Sequence, residues 1–206
     1  MTETAPPLVL IVDDDEAMRR SMSFLFASVG LASQSFPTGD AFLASVEPAA
    51  TMRPGALVLD VRMPGTSGLE LQRILAERGF PLPIVIVTGH GDVPMAVTAL
   101  KAGAHDFIEK PFKEQHLLDM VESAIRLSRE RLAKCERART LAERLGRLGR
   151  REREVLDGIL AGKPNKVVAF ELDLSIKTIE AYRASVMTKM EAGSLAELAR
   201  MMASAE

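Results

Sequence analysis

Along the first 125 positions, short apolar runs alternate with longer stretches of helical spacing. Leu8–Val12, Leu31–Phe36, Ala56–Leu59, Ile84–Val87 and His105–Glu109 are the size of β-strands. Between and after them, Glu16–Val29, Gly39–Val46, Ser67–Arg78, Val93–Ala102 and Glu114–Leu127 place apolar side chains every three or four residues. Five strand–helix units in succession predict an α/β domain: a five-stranded parallel, doubly wound sheet with helices on both faces. The first, third and fourth runs are apolar at nearly every position, as strands covered on both faces must be. Turn residues stand where the pattern breaks, at Pro64-Gly65, at Gly79 and Pro81, and at Gly103.

The pattern then changes. Leu117, Val121, Ile125, Leu132, Cys135, Leu141, Leu145 and Leu148 recur at helical spacing with a few gaps. The helix after the last strand is therefore expected to run on as an Arg-rich connector over 126–147. A flexible tether is disfavoured, because the stretch has no proline and no glycine before Gly146. Its apolar stripe would suit a short coiled coil, but Arg139 and the gaps weaken that reading. Four short helices follow: Arg150–Ala161, Asn165–Glu171, Ile176–Met190 and Leu195–Ala203. Gly149 with Glu152, Ser175, and Ser194 with Glu197 mark helix starts, and Gly162 marks an end. The domains expected are 1–125, a helical linker over 126–147, and a small all-α domain over 148–206.

A chain of 206 residues suits two compact domains. With 47% hydrophobic and 26% charged residues it is neither disordered nor collagen-like. No apolar run approaches the ~18 residues of a membrane span. The start, Met1-Thr2-Glu3-Thr4, lacks the basic region of a signal peptide. One cysteine, Cys135, permits neither an intrachain disulfide nor a cysteine metal site. A cytoplasmic protein without membrane contact is expected. The net charge of −2 hides an asymmetry: residues 1–125 carry 9 basic and 16 acidic side chains, and residues 126–206 carry 17 and 12. The basic excess, densest from Arg126 to Arg153, fits either a polyanion partner or a solvated helix face.

Asp13 and Asp14 follow the first strand, and Asp60 follows the third. Ligands of open α/β sheets bind beyond the carboxyl ends of the strands, where the strand order reverses. If strands one and three are neighbours, the three acids share one crevice and raise one another's pKa unless a cation relieves them. All-oxygen ligands with room for water suit Mg²⁺. Thr88 and Lys110, at the ends of the fourth and fifth strands, bring a hydroxyl and an ammonium. Together these groups would make Asp60 a nucleophile toward phosphorus.

Ile11-Val12-Asp13-Asp14-Asp15, Leu59-Asp60-Val61-Arg62-Met63-Pro64-Gly65, Val87-Thr88-Gly89-His90-Gly91-Asp92 and Phe107-Ile108-Glu109-Lys110-Pro111-Phe112 resemble a response-regulator receiver domain, a flavodoxin-like fold. The wording is most similar to the FixJ family, over nearly all of 8–125. The resemblance implies that Asp60 accepts a phosphoryl group from a sensor histidine kinase. It implies Mg²⁺ on Asp13, Asp14, Asp60 and the backbone carbonyl of Arg62, a cis Lys110–Pro111 bond, and a switch pair of Thr88 and Phe107. Asp15 reads as a helix N-terminal residue rather than a ligand, and His90 as a loop residue rather than a second acceptor.

In the C-terminal part, Asn165–Glu171, the turn Leu172-Asp173-Leu174 and Ile176–Met190 form a helix-turn-helix pattern. On a helical wheel Ile176, Ile179, Val186, Met187 and Met190 share one side, with Arg183 near it. Lys177, Thr178, Ala181, Ala184, Ser185 and Thr188 form a small or polar opposite face that fits a major groove. Lys163, Lys166 and Lys189 are expected at phosphates. Arg151-Glu152-Arg153-Glu154-Val155-Leu156, Gly162, Asn165-Lys166 and Ser175-Ile176-Lys177-Thr178-Ile179-Glu180 resemble a LuxR-type DNA-binding domain over about 148–204. Two departures are Leu148-Gly149-Arg150, where the family opens with Leu-Thr-Pro or Leu-Ser-Pro, and Asp173, where it favours glycine or asparagine.

The reading expected is a phosphorylation-dependent transcriptional regulator of a two-component system, not an enzyme. It would bind promoter double-stranded DNA and form a homodimer on phosphorylation, with RNA polymerase a candidate partner. An aspartate-based phosphohydrolase would use the same acids, but Asp13-x-Asp15 is followed by Ala17 and no cap insertion is present. A DNA-binding protein whose first domain only dimerises would not need the full acidic pocket.

Overall fold

A computed structural model of the chain describes residues 6–46, 52–89 and 93–203. The start Met1-Thr2-Glu3-Thr4 and the loop residue His90 lie outside the described residues. Five strands, β1 (Leu8–Val12), β2 (Ala32–Phe36), β3 (Gly55–Asp60), β4 (Ile84–Thr88) and β5 (Asp106–Glu109), form one sheet in the order β2-β1-β3-β4-β5. Every neighbouring pair is parallel. Strands one and three are therefore adjacent, and the order reverses at β1. Helices α1 (Glu16–Ser28), α2 (Gly39–Ser45), α3 (Gly68–Glu77), α4 (Val93–Lys101) and α5 (Glu114–Gly146) complete the α/β pattern.

Alternation along the strands divides the core between the two faces of the sheet. Leu10, Leu57, Leu59 and Ile86 pack with Phe42 of α2 and Leu71 of α3. Val9, Ile11, Val58 and Val85 pack with Met22 and Phe26 of α1 and with Leu117 and Val121 of α5. β2 is an edge strand with Ala32, Gln34 and Ser35 exposed, a polar character that discourages pairing with another chain.

α5 is one uninterrupted helix of 33 residues, so the connector does continue the helix that follows β5. The chain divides into two compact units after Leu132. Ser128, three residues past buried Ile125, is also buried and accepts a hydrogen bond from Gly55 N–H at 3.1 Å. In the second unit, the end of α5 is followed by α6 (Arg150–Leu160), α7 (Asn165–Leu172), α8 (Ile176–Lys189) and α9 (Leu195–Ala203). Their core holds Leu141, Leu148, Val155, Leu156, Val168, Ile179, Val186, Met190 and Leu198. Asp173 takes the left-handed conformation, φ 54°, that closes α7, where glycine would be unstrained. Among the described residues no helix is long and apolar enough to cross a membrane.

Candidate functional site

β1 ends at Val12 and β3 at Asp60, side by side, which delivers three carboxylates to one place. Asp13, Asp14 and Asp60 each offer an oxygen within 4.8 Å of the others. Asp13 and Asp60 are buried and Asp14 is exposed. Lys110 Nζ donates to Asp13 Oδ2 at 2.7 Å and to Asp60 Oδ2 at 2.9 Å. Burial pushes the Asp13 carboxyl above its ordinary value, and the bond from Lys110 offsets only part of that. Burial pulls on Lys110 in the opposite sense, but its two carboxylate partners outweigh it and hold the ammonium above its ordinary value. One ammonium against three carboxylates leaves an excess of negative charge. A hard divalent cation with all-oxygen ligands and an open, exposed side for water fits that donor set.

The backbone around these acids is shaped for them. Asp15 caps α1, accepting from Ala17 N and Met18 N, and so behaves as a helix-start residue. Asp60 Oδ1 accepts from Arg62 N at 3.2 Å, which folds the chain back just beyond β3. Gly68 follows closely: a Cβ there would lie 2.1 Å from Asp60 O, so only glycine lets α3 start against this strand end. Arg19, which the sequence pattern did not single out, donates to Asp13 O at 2.7 Å and Asp14 O at 2.9 Å. Its guanidinium fixes the acid loop from behind. A basic residue one turn into α1 was the available signal.

Thr88 is buried at the end of β4, and its carbonyl accepts from Lys110 N at 2.8 Å. Lys110–Pro111 is cis. Phe107, half-buried on β5, lies opposite Ile86 in the register and packs on the core. Phosphoacceptor candidate, hydroxyl, ammonium and aromatic thus stand on three adjacent strands.

In the second unit, Ser175 Oγ caps α8 by accepting from Thr178 N at 3.1 Å. Lys177, Ala181, Ala184 and Thr188 are exposed along α8, Thr178 is half-buried, and Lys166 is exposed on α7. Ser185 and Lys189 are engaged inward instead. Glu152 of α6, buried, accepts from Ser185 Oγ at 2.6 Å, Lys189 Nζ at 2.7 Å and Gly149 N at 2.7 Å. Lys189, Ser185 and Gly149 together lower the Glu152 carboxyl to about 2. Lys163 Nζ contacts both carboxylate oxygens of Glu171 at 2.7 Å. Glu152 read as a helix-start residue, and its Gly149 bond fits that; its partners on α8 are 33 and 37 residues away and carry no sequence signal.

Residues 9–122 match the response regulator receiver domain family, and residues 147–202 match the luxR family of bacterial regulatory proteins. The transcriptional regulatory protein FixJ of Bradyrhizobium diazoefficiens is 48% identical over 94% of this chain and 93% of its own. The response regulator protein TodT of Pseudomonas putida is 42% identical over 94% of this chain and 84% of its own. Among solved structures, the response regulator StyR superposes with a TM-score of 0.88 at 40% identity, covering 97% of this chain and 99% of that one. Full-length FixJ from B. japonicum gives 0.58 at 45% identity, covering 98% of each.

Proposed function

We propose, because the chain belongs to the two-component response regulators that join a receiver domain to a LuxR-type DNA-binding domain, that Asp60 is its phosphoacceptor. The chain is a two-component transcriptional regulator; its receiver domain implies a kinase partner, and its LuxR-type domain implies DNA. The observation that carries the assignment to Asp60 is its buried carboxylate at the end of β3, bonded to Lys110 and grouped with Asp13 and Asp14.

An Asp60 carboxylate oxygen attacks the phosphorus carried on a histidine nitrogen of the kinase. The P–O bond forms as the P–N bond breaks, and the nitrogen keeps the electron pair. Lys110 turns from Asp60 to a phosphoryl oxygen, and Thr88 donates its hydroxyl to another. Asp13, Asp14, Asp60 and the Arg62 carbonyl would hold Mg²⁺, which neutralises phosphoryl oxygens when bound. The chain is an acceptor rather than an enzyme, and water removes its phosphoryl group slowly. With Thr88 drawn inward, Phe107 follows, and the surface of α4 and β5 changes. Two copies then pair through that surface, present two DNA-binding units to a promoter, and offer a platform to RNA polymerase.

The test is transfer of label from radioactive acetyl phosphate to the full chain. Wild type takes up label and Asp60→Asn does not. Label on the variant at wild-type level overturns the assignment.

A further inference from the structure

Beyond its first residue, α8 exposes a single stripe of five positions: Lys177, Glu180, Ala181, Ala184 and Thr188. Three of these are small. Only Lys177 and Glu180 reach beyond the helix surface, and one of the two is an acid. Among the described residues neither has a hydrogen-bond or ion-pair partner. Glu180 therefore does not belong to the Glu152–Ser185–Lys189 cluster that holds the other side of the helix. An acid in the middle of a face meant for a polyanion needs a reason, because every nearby phosphate repels it.

We propose that Glu180 is a specificity-determining residue that reads cytosine in the major groove; the proposal rests on the DNA-binding reading above. The chemistry selects the base. A carboxylate only accepts hydrogen bonds, and the groove offers donors only at cytosine N4 and adenine N6. Adenine sets its N7 acceptor beside N6, so a carboxylate that takes N6 meets N7 lone pairs at close range. Cytosine has only a C5 hydrogen beside N4. The carboxylate is thus penalised at any base pair that gives it no donor and is relieved at one. Lys177, three residues earlier and on the same stripe, is one turn away and reaches guanine O6 and N7 at a neighbouring pair. Ala181 and Ala184 leave room for the groove floor, so the two long side chains carry the discrimination.

The alternative role for Glu180 is solvation of the helix face. The roles separate in a selection experiment on the full chain treated with acetyl phosphate. Wild type, Glu180→Gln and Glu180→Ala are each incubated with a duplex library randomised across both half-sites, and bound sequences are read. Helix propensities of glutamate and glutamine are close, and circular dichroism at 222 nm confirms equal folding. Wild type enriches cytosine at one position of each half-site by about tenfold. Glu180→Gln moves that position toward adenine, whose N6 and N7 suit an amide. Glu180→Ala loses preference there alone and binds random duplex more tightly than wild type. The same sequences recovered by all three proteins overturn the proposal, even if the variants bind all DNA more tightly. A wild type that enriches no sequence overturns the DNA-binding reading itself.

Discussion

Lys110 bonds two buried carboxylates with one ammonium, so loss of any of the three changes the charge the others must bear. Asp14 stands apart: it is exposed and not bonded to Lys110. Asp14→Ala therefore tests the proposed metal site without breaking that pair. In a Mg²⁺ titration followed by amide NMR of the residues at the ends of β1 and β3, the variant should bind more than about tenfold more weakly. Its stability should stay within about 0.5 kcal/mol of wild type, as for exposed positions. Titration like wild type's would put the metal elsewhere. The acids, Thr88 and Lys110 were legible in the sequence because each lies at or just past the end of a strand, and strand ends follow from the apolar runs alone. Arg19 was not, because its role is set by two backbone carbonyls of the acid loop. The helical wheel puts Ser185 on the groove face and a phosphate contact is expected of Lys189, but neither a wheel angle nor a charge names an intramolecular partner. Glu152 on α6 supplies that partner.

Between elements, Glu152 fastens the start of α6 to the last turns of α8. Loss of its carboxylate leaves Gly149 N–H, Ser185 and Lys189 without it, and Glu152→Gln should cost about 1–2 kcal/mol in the second unit. The pH dependence has a definite sign. Folding lowers the Glu152 pKa from 4.5 to about 2, so its contribution is full above 4.5 and fades as pH falls toward 2. Urea unfolding by circular dichroism should show wild type losing more stability than Glu152→Gln between pH 6 and pH 3. Equal losses would mean that the carboxylate is not held in this cluster. Arg144 adds a second fastening, donating to Met190 O at 3.1 Å and Glu191 Oε2 at 2.6 Å, with Arg147 also on Glu191. These contacts lie beyond sequence reading because they join the end of α5 to the end of α8, some 45 residues apart. The elements themselves were legible. Among the described residues, periodicity placed the five strands and nine helices, and strand bounds moved by a residue because β3 and β4 extend to Asp60 and Thr88.

At the scale of the molecule, if one LuxR-type unit meets one half-site through α8, as proposed, its two long exposed side chains would supply modest affinity. Pairing two chains makes the second contact intramolecular and multiplies affinity ~10²–10⁴-fold without any new DNA contact. Moving from mostly inactive to mostly active takes about 5 kcal/mol of preference for the phosphorylated state, and the pairing proposed above would contribute to it. The surface next to the proposed phosphoacceptor is suited to pairing. Val97 and Leu100 of α4 are 43% and 45% exposed, and three residues apart they share one helix face. Phosphorylation of Asp60 as proposed would add roughly −1.5 to −2 charges there, and Thr88 and Lys110 would pass its effect to β4 and β5, which flank α4 in the chain. Replacing both apolar residues, Val97→Asp with Leu100→Asp, should leave label uptake at Asp60 intact. In sedimentation velocity with acetyl phosphate, wild type should become a dimer while the double variant stays a monomer. Promoter affinity of the treated variant should stay at the untreated wild-type level, at least about a hundredfold weaker than treated wild type. A treated wild type that remains monomeric yet gains promoter affinity would overturn pairing as the switch. A double variant that dimerises normally would move the interface away from α4.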